Sequence, residues 1–203
     1  MKLYYAPGAC SMASHIALNE FGLAHTAEAV DLKTHRTQSG QDFYTINPKG
    51  YVPALELNNG DMLTEGVAIL SCLSEMKSAG GAVPRAKDTE RYRLLEWLVF
   101  IATELHKGFG TLFSYKEGPE NIVNDAKKKI GKRFDYLDKH LSGRQFLMGD
   151  SFTVADAYLF TILSWSTWVA FDLSPWKNLE DYFQRILMRP AVQKTMKEEE
   201  LIR

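Results

Sequence analysis

The chain should fold in two parts, an α/β domain over residues 1–80 and an all-α helical domain over residues 81–203. Three patterns point there. Strand-like and helix-like segments alternate up to about residue 78, the run Ser78-Ala79-Gly80-Gly81-Ala82-Val83-Pro84 has linker composition, and beyond it apolar residues keep helical spacing with no convincing strand.

Lys2-Leu3-Tyr4-Tyr5-Ala6 reads as a first strand, and Met12 and Ile16, one turn apart, mark a first helix. Thr26-Ala27-Glu28-Ala29-Val30-Asp31 follows as a second strand, then a polar stretch over 34–40 and a short helical segment around 42–46. Ala54-Leu55-Glu56-Leu57 and Asp61-Met62-Leu63 flank Asn58-Asn59-Gly60, a hairpin signal because Asn and Gly tolerate positive φ. A helix then starts near Glu65. This order, βαβ, hairpin, α, implies a mixed sheet begun by a right-handed parallel crossover, a thioredoxin-like plan.

In the second part, Leu94, Leu98, Ala102, Leu105, Phe109 and Leu112 recur at turn spacing and predict one long helix over 88–113. Residues 121–141 carry Ile122, Ala126, Ile130, Phe134 and Leu137 on one side, and 154–170 are nearly all apolar, which suits the centre of a bundle. Shorter helices near 179–188 and 191–199, separated by Pro190, complete it. Phe152-Thr153-Val154-Ala155-Asp156-Ala157 has the form of a capping box with a hydrophobic staple, a folding signal with no catalytic role.

A net charge of −1 offers no global attraction to nucleic acid or an anionic membrane. No uninterrupted apolar run reaches the roughly 20 residues of a membrane helix. Met1-Lys2-Leu3-Tyr4-Tyr5 lacks the apolar region of a signal peptide, and two cysteines make no disulfide scaffold, so the expected setting is the cytoplasm. No metal site is expected.

Cys10 is the most informative residue. It lies past the first strand and the turn-like Pro7-Gly8-Ala9, at the start of a helix, where free N–H groups and the dipole favour an anion. Thiols so placed reach pKa values of about 3.5–7.5. Two readings stand side by side: a reactive or ligand-facing thiol, or a small residue filling the strand–helix corner.

The whole chain resembles the cytosolic glutathione transferases. The resemblance rests on Tyr4-Tyr5-Ala6-Pro7-Gly8-Ala9-Cys10-Ser11, Asn47-Pro48-Lys49-Gly50-Tyr51-Val52-Pro53-Ala54-Leu55, Leu63-Thr64-Glu65-Gly66-Val67-Ala68-Ile69 and Phe152-Thr153-Val154-Ala155-Asp156. With Glu104-Leu105-His106-Lys107-Gly108, these are similar to the bacterial beta class, which carries cysteine at the position of Cys10.

The resemblance implies a site for glutathione, an anionic tripeptide that would act as co-substrate, with no other cofactor. Val52-Pro53 would be a cis bond whose residue before proline pairs with the ligand backbone, where an unrelated chain would start a strand with trans-proline. Glu65 and Gly66, opening a helix, would take the amine and carboxylate of the γ-glutamyl end; Glu65 is equally a first-turn acid favoured by the dipole. His35 stands where the class commonly has lysine, facing the glycyl carboxylate or else solvent, with Lys107 as a substitute charge. Val99, Thr103 and His106, at i, i+4 and i+7, would share the cleft-facing stripe of the long helix, Thr103 being also suited to core or interface. Cys10 and His106 are the leading catalytic candidates; Tyr5 and Ser11 are secondary, Tyr5 being equally a core strand residue.

The expected activity is conjugation of glutathione sulfur to small hydrophobic electrophiles by a homodimer, with Phe109, Phe113, Trp165 and Trp168 as candidate pocket residues, or else as core. Cys10 also opens a monothiol thiol–disulfide or peroxide-reducing activity, position 13 being Ala13 and not a second cysteine. A non-catalytic ligand-binding or regulatory protein on the same fold is the alternative.

Overall fold

The computed structural model describes residues 1–78 and 88–203; positions 79–84 of the expected linker lie outside them. The chain forms two compact units, Met1–Pro84 with Arg189–Arg203, and Arg85–Met188.

The first unit is a thioredoxin-like sheet with helices. Its five strands run in the order β3-β2-β1-β4-β5. β1 (Lys2–Tyr5) is central, parallel to β2 (Thr26–Asp31) with Leu3 opposite Ala27, and antiparallel to β4 (Ala54–Glu56) with Leu3 opposite Leu55. β4 and β5 (Met62–Thr64) form the expected hairpin, closed by Leu57 N–H on the Asp61 carbonyl at 2.8 Å with Gly60 at φ 87°. The edge strand β3 (Arg36–Thr37) falls inside the stretch expected to be irregular; two polar residues carry no period-2 signal. Strand alternation sends Tyr4 into a cluster with Phe43, Val52 and Ala54, and sends Tyr5 to the other face, against His15.

α1 (Met12–Glu20) buries every residue from Met12 to Leu18, since it packs against β1, α2 (Gly66–Ser78) and α8 (Pro190–Glu198). The last helix, expected within the helical part over 81–203, groups with the first unit. An Arg189–Glu20 ion pair and the Tyr5 hydroxyl on the Glu198 carbonyl at 3.3 Å tie it there. Pro190 opens this helix instead of lying between two, as fits a residue whose missing N–H costs nothing in a first turn.

The second unit is all-helical: α3 (Asp88–Phe100), a π-helical turn (Ile101–His106), α4 (Lys107–Ser114), α5 (Glu120–Leu141), α6 (Val154–Ser164) and α7 (Lys177–Leu187). α5 buries Ala126, Ile130, Phe134 and Leu137 as its spacing predicts. α6 is buried throughout Val154–Leu163 but stops at Ser164, short of the expected 170. Ser164 Oγ turns back to the Thr161 carbonyl at 2.7 Å and Thr167 Oγ1 to the Ser164 carbonyl at 3.0 Å, competing with the helical ladder.

The capping box forms around Asp156, whose Oδ2 accepts from the Thr153 N–H at 2.8 Å and hydroxyl at 2.9 Å. Its Oδ1 accepts from Leu147 N–H and the Tyr182 hydroxyl, each at 2.9 Å, so one buried carboxylate fastens a loop and α7 to α6. Among the described residues, no helix is long and apolar enough to cross a membrane.

Candidate active site

After β1 the chain makes a tight turn, with Ala9 N–H on the Ala6 carbonyl at 3.0 Å and Gly8 at φ 68°, a conformation glycine takes without a Cβ penalty. The Ser11 hydroxyl clamps the turn, accepting from Ala6 N–H at 3.1 Å. Ser11 and Tyr5 are therefore occupied structurally: Tyr5 faces α1 and α8, and the Ser11 hydroxyl is held by Ala6.

Cys10 lies two residues ahead of α1, with its Sγ donating to the Val52 carbonyl at 3.3 Å. Burial pushes its thiol up to about 11, against the lowering effect of nearby backbone N–H groups, and Glu65 adds to the rise. This is the reverse of what a helix start alone favours. Local geometry supplies the anion-stabilising N–H groups, but desolvation, a tertiary effect, outweighs them.

Val52-Pro53 is cis. The turn ahead of it is braced by the buried Asn47, whose Nδ2 donates to the Tyr51 carbonyl at 2.7 Å and whose Oδ1 accepts from Lys49 N–H at 3.2 Å. Gly50, at φ 70°, has no room for a side chain: a Cβ there would lie 2.7 Å from the Tyr44 ring. His35, itself at φ 51°, lies against Tyr44 with ring centroids 4.5 Å apart, and its Nδ1 is buried without a partner.

Glu65 stands at φ 71°, and its carbonyl accepts from Ile69 N–H at 3.0 Å, so it caps α2 from outside. A Cβ on Gly66 would meet open space, leaving the helix start accessible to an anion. Lys49 Nζ reaches Glu65 Oε1 at 2.7 Å and Thr64 Oγ1 at 3.1 Å. Lys49 and Asn47 carry no role in the sequence pattern by itself; the Asn-Pro-Lys-Gly turn is the signal that could point to them.

In the second unit, His106 ends the π-helical turn. Its Nδ1 is 2.7 Å from the Tyr158 hydroxyl, and its ring meets Trp165 edge-on at 4.9 Å. Burial, helped by the Lys107 charge, lowers its pKa to about 4, so it is neutral at neutral pH. The π turn breaks the 3.6-residue phase on which the Val99–Thr103–His106 stripe was drawn. Val99 and Thr103 are exposed, the Thr103 hydroxyl bonding the Val99 carbonyl at 3.0 Å, whereas His106 is half-buried; Lys107 is exposed. Phe109 and Trp165 are core, while Phe113 and Trp168 are exposed beside Trp165 and each other, an aromatic surface next to His106. Tyr158, the partner of His106, was not foreseen; it lies within an apolar helix that gives no sequence cue.

The first unit thus brings Cys10 to Val52, and Lys49 to Glu65 beside an open helix start; the second gathers His106, Tyr158 and Trp165. The groups of the first unit can hold a peptide backbone and its charged ends and donate a hydrogen bond to a sulfur; those of the second offer aromatic surface beside an imidazole.

The chain matches the family models of the glutathione S-transferase N-terminal domain over residues 8–76 and C-terminal domain over residues 100–190. It is 42% identical to glutathione S-transferase GstA of Escherichia coli O157:H7 over 99% of this chain and 100% of that protein. Among solved structures, a sphingomonad glutathione S-transferase complexed with glutathione has 41% identity, complete coverage of both chains and a TM-score of 0.90. A bacterial beta-class enzyme of Sphingomonas chungbukensis has 42% identity, equal coverage and a TM-score of 0.91.

Proposed function

The chain belongs to the glutathione S-transferase family and is a glutathione transferase with beta-class neighbours, and on that premise we propose how its residues divide the work. The observation that carries the reading is the Cys10 Sγ placed 3.3 Å from the Val52 carbonyl, as a donor, in surroundings that push its pKa up. Arriving glutathione takes that carbonyl with its own backbone N–H, and the freed Cys10 S–H turns to the ligand sulfur. With the Cys10 thiol at about 11, against about 8.5 for an ordinary thiol, the proton stays on Cys10 while glutathione gives up its own thiol proton to solvent and carries the thiolate. Cys10 then acts as a hydrogen-bond donor, lowering the ligand's pKa.

The thiolate's electron pair forms the carbon–sulfur bond as the electrophile's leaving group departs with its own pair. Glu65 holds the γ-glutamyl amine in exchange for Lys49, Gly66 N–H its carboxylate, and His35 the glycyl carboxylate. The small hydrophobic electrophile draws on the aromatic surface of Phe113 and Trp168, and neutral His106 orients its polar group without adding charge. A homodimer and a cytoplasmic setting complete the proposal, supported by family membership and by two unpaired cysteines.

Thiol–disulfide or peroxidase chemistry at Cys10 needs its thiolate, which burial disfavours, so conjugation is the reading advanced. The non-catalytic alternative finds no support among the relatives. The wild type should conjugate glutathione to 1-chloro-2,4-dinitrobenzene, and Cys10→Ala should move the rate–pH profile to higher pH, with about 10-fold loss near pH 6.5 that recovers in alkali. An unshifted profile would remove Cys10 as the donor; failure with every electrophile and no glutathione binding would remove the activity.

A further inference from the structure

The turn that carries Cys10 is also gripped from the far end of the chain. Glu199, just past α8, is 0% exposed at its side chain and His15 on α1 is 1% exposed. Glu199 Oε1 lies 2.9 Å from His15 Nδ1, while its Oε2 accepts from Gly8 N–H at 2.8 Å. The other ring nitrogen, Nε2, lies 3.0 Å from Glu198 Oε2, which also accepts from Asn19 Nδ2 at 2.8 Å. A carboxyl oxygen thus faces each ring nitrogen. Buried charges persist only where partnered, and here the partners are an imidazole and the backbone of one turn.

We propose that Glu199 is a positioning residue, whose carboxylate, held by His15, locks Gly8 and thereby aims the Cys10 thiol at the ligand sulfur. The inference rests on the conjugating role assigned to Cys10. Capping α8 requires no acid reaching Gly8, 191 residues away in sequence. The grip acts two residues before the thiol, on a turn already closed by Ala9 on Ala6. Hydrogen bonds to charged groups are strong enough that losing one should loosen this turn by about 10-fold or more in its opening equilibrium.

The test uses the two cysteines against each other. In Glu199→Ala, iodoacetamide should label Cys10 about 10-fold faster than in wild type, with Cys72 unchanged, and kcat for conjugation should fall about 10-fold at constant KM for the electrophile. Glu199→Gln, whose amide oxygen still accepts from Gly8, should restore both. A parallel rise at both cysteines would mean general loosening and overturn the proposal, as would unchanged Cys10 labelling or unchanged kcat. Amide exchange in the wild type needs no variant to fold: Gly8 N–H should exchange as slowly as the amides of α1, and exchange within seconds would overturn the grip. Labelling and exchange read the turn without catalysis, so a wild type unable to conjugate would sink the enzymatic reading while leaving the grip standing.

Discussion

Replacing His106 by asparagine isolates what burial does to one imidazole. Asparagine keeps a polar group near Nδ1, within reach of the Tyr158 hydroxyl that stands 2.7 Å away, but cannot titrate. The folded protein holds His106 at about 4, while the unfolded chain should titrate near the ordinary value of about 6.5. A base whose pKa falls on folding contributes stability that is complete above the unfolded pKa and is lost as pH drops through the folded one. The unfolded state gains a proton between about pH 6.5 and 4 that the native state refuses. At about 1.36 kcal/mol per unit, the loss comes to about 3 kcal/mol. Urea unfolding of both proteins at pH 7.5, 6, 5 and 4 gives the comparison. Subtracting the variant cancels the other four histidines, and the difference should shrink by about 3 kcal/mol across that range, in the direction of wild type losing more. A pH-independent difference, or an NMR titration placing His106 above 6, would refute the reasoning. The functional counterpart is that no limb of the rate profile near pH 6.5 belongs to His106.

Glu65→Gln should raise KM for glutathione about 10-fold with little change in kcat, since the lost charge pairs with the substrate amine equally before and during reaction; an unchanged KM would place the amine elsewhere. His35→Lys should tighten glutathione binding about 5-fold by calorimetry at pH 8, where a lysine is charged, and unchanged affinity would take His35 out of the site. Asp156→Ala strands buried donors at Leu147 and Tyr182 and should cost about 3–5 kcal/mol in urea unfolding; a loss below about 1 kcal/mol would show that water or repacking replaces the carboxylate.

Local chemistry was legible in the sequence wherever the decisive interaction is local. Asn58-Asn59-Gly60 marked the hairpin, Thr153 and Asp156 marked the head of α6, and the Asn47–Leu55 motif pointed to the cis bond at Val52. Where the outcome depends on residues distant in sequence, the reading fell short. At Cys10 the helix start favours a thiolate, which is one of the two readings open in the sequence, but tertiary burial outweighs it and raises the pKa. The stripe through Val99, Thr103 and His106 assumed one helical phase, which the π turn interrupts without any proline or glycine inside Ile101–His106 to announce it. Lys49 on Glu65 and Tyr158 on His106 join residues 16 and 52 positions apart, and no spacing rule pairs them.

The return of the last helix to the first unit bears on how the protein is made. Translation delivers β1 to α2 first and then all of Arg85–Met188, and only afterwards the segment that covers α1. At about 5–20 residues per second, the nascent chain waits roughly 5–20 s between those events, long enough for the helical unit to settle on the ribosome. Throughout that interval His15 lacks both carboxylates, so arrival of α8, not synthesis of the sheet, is when the thiol-bearing turn acquires its final shape.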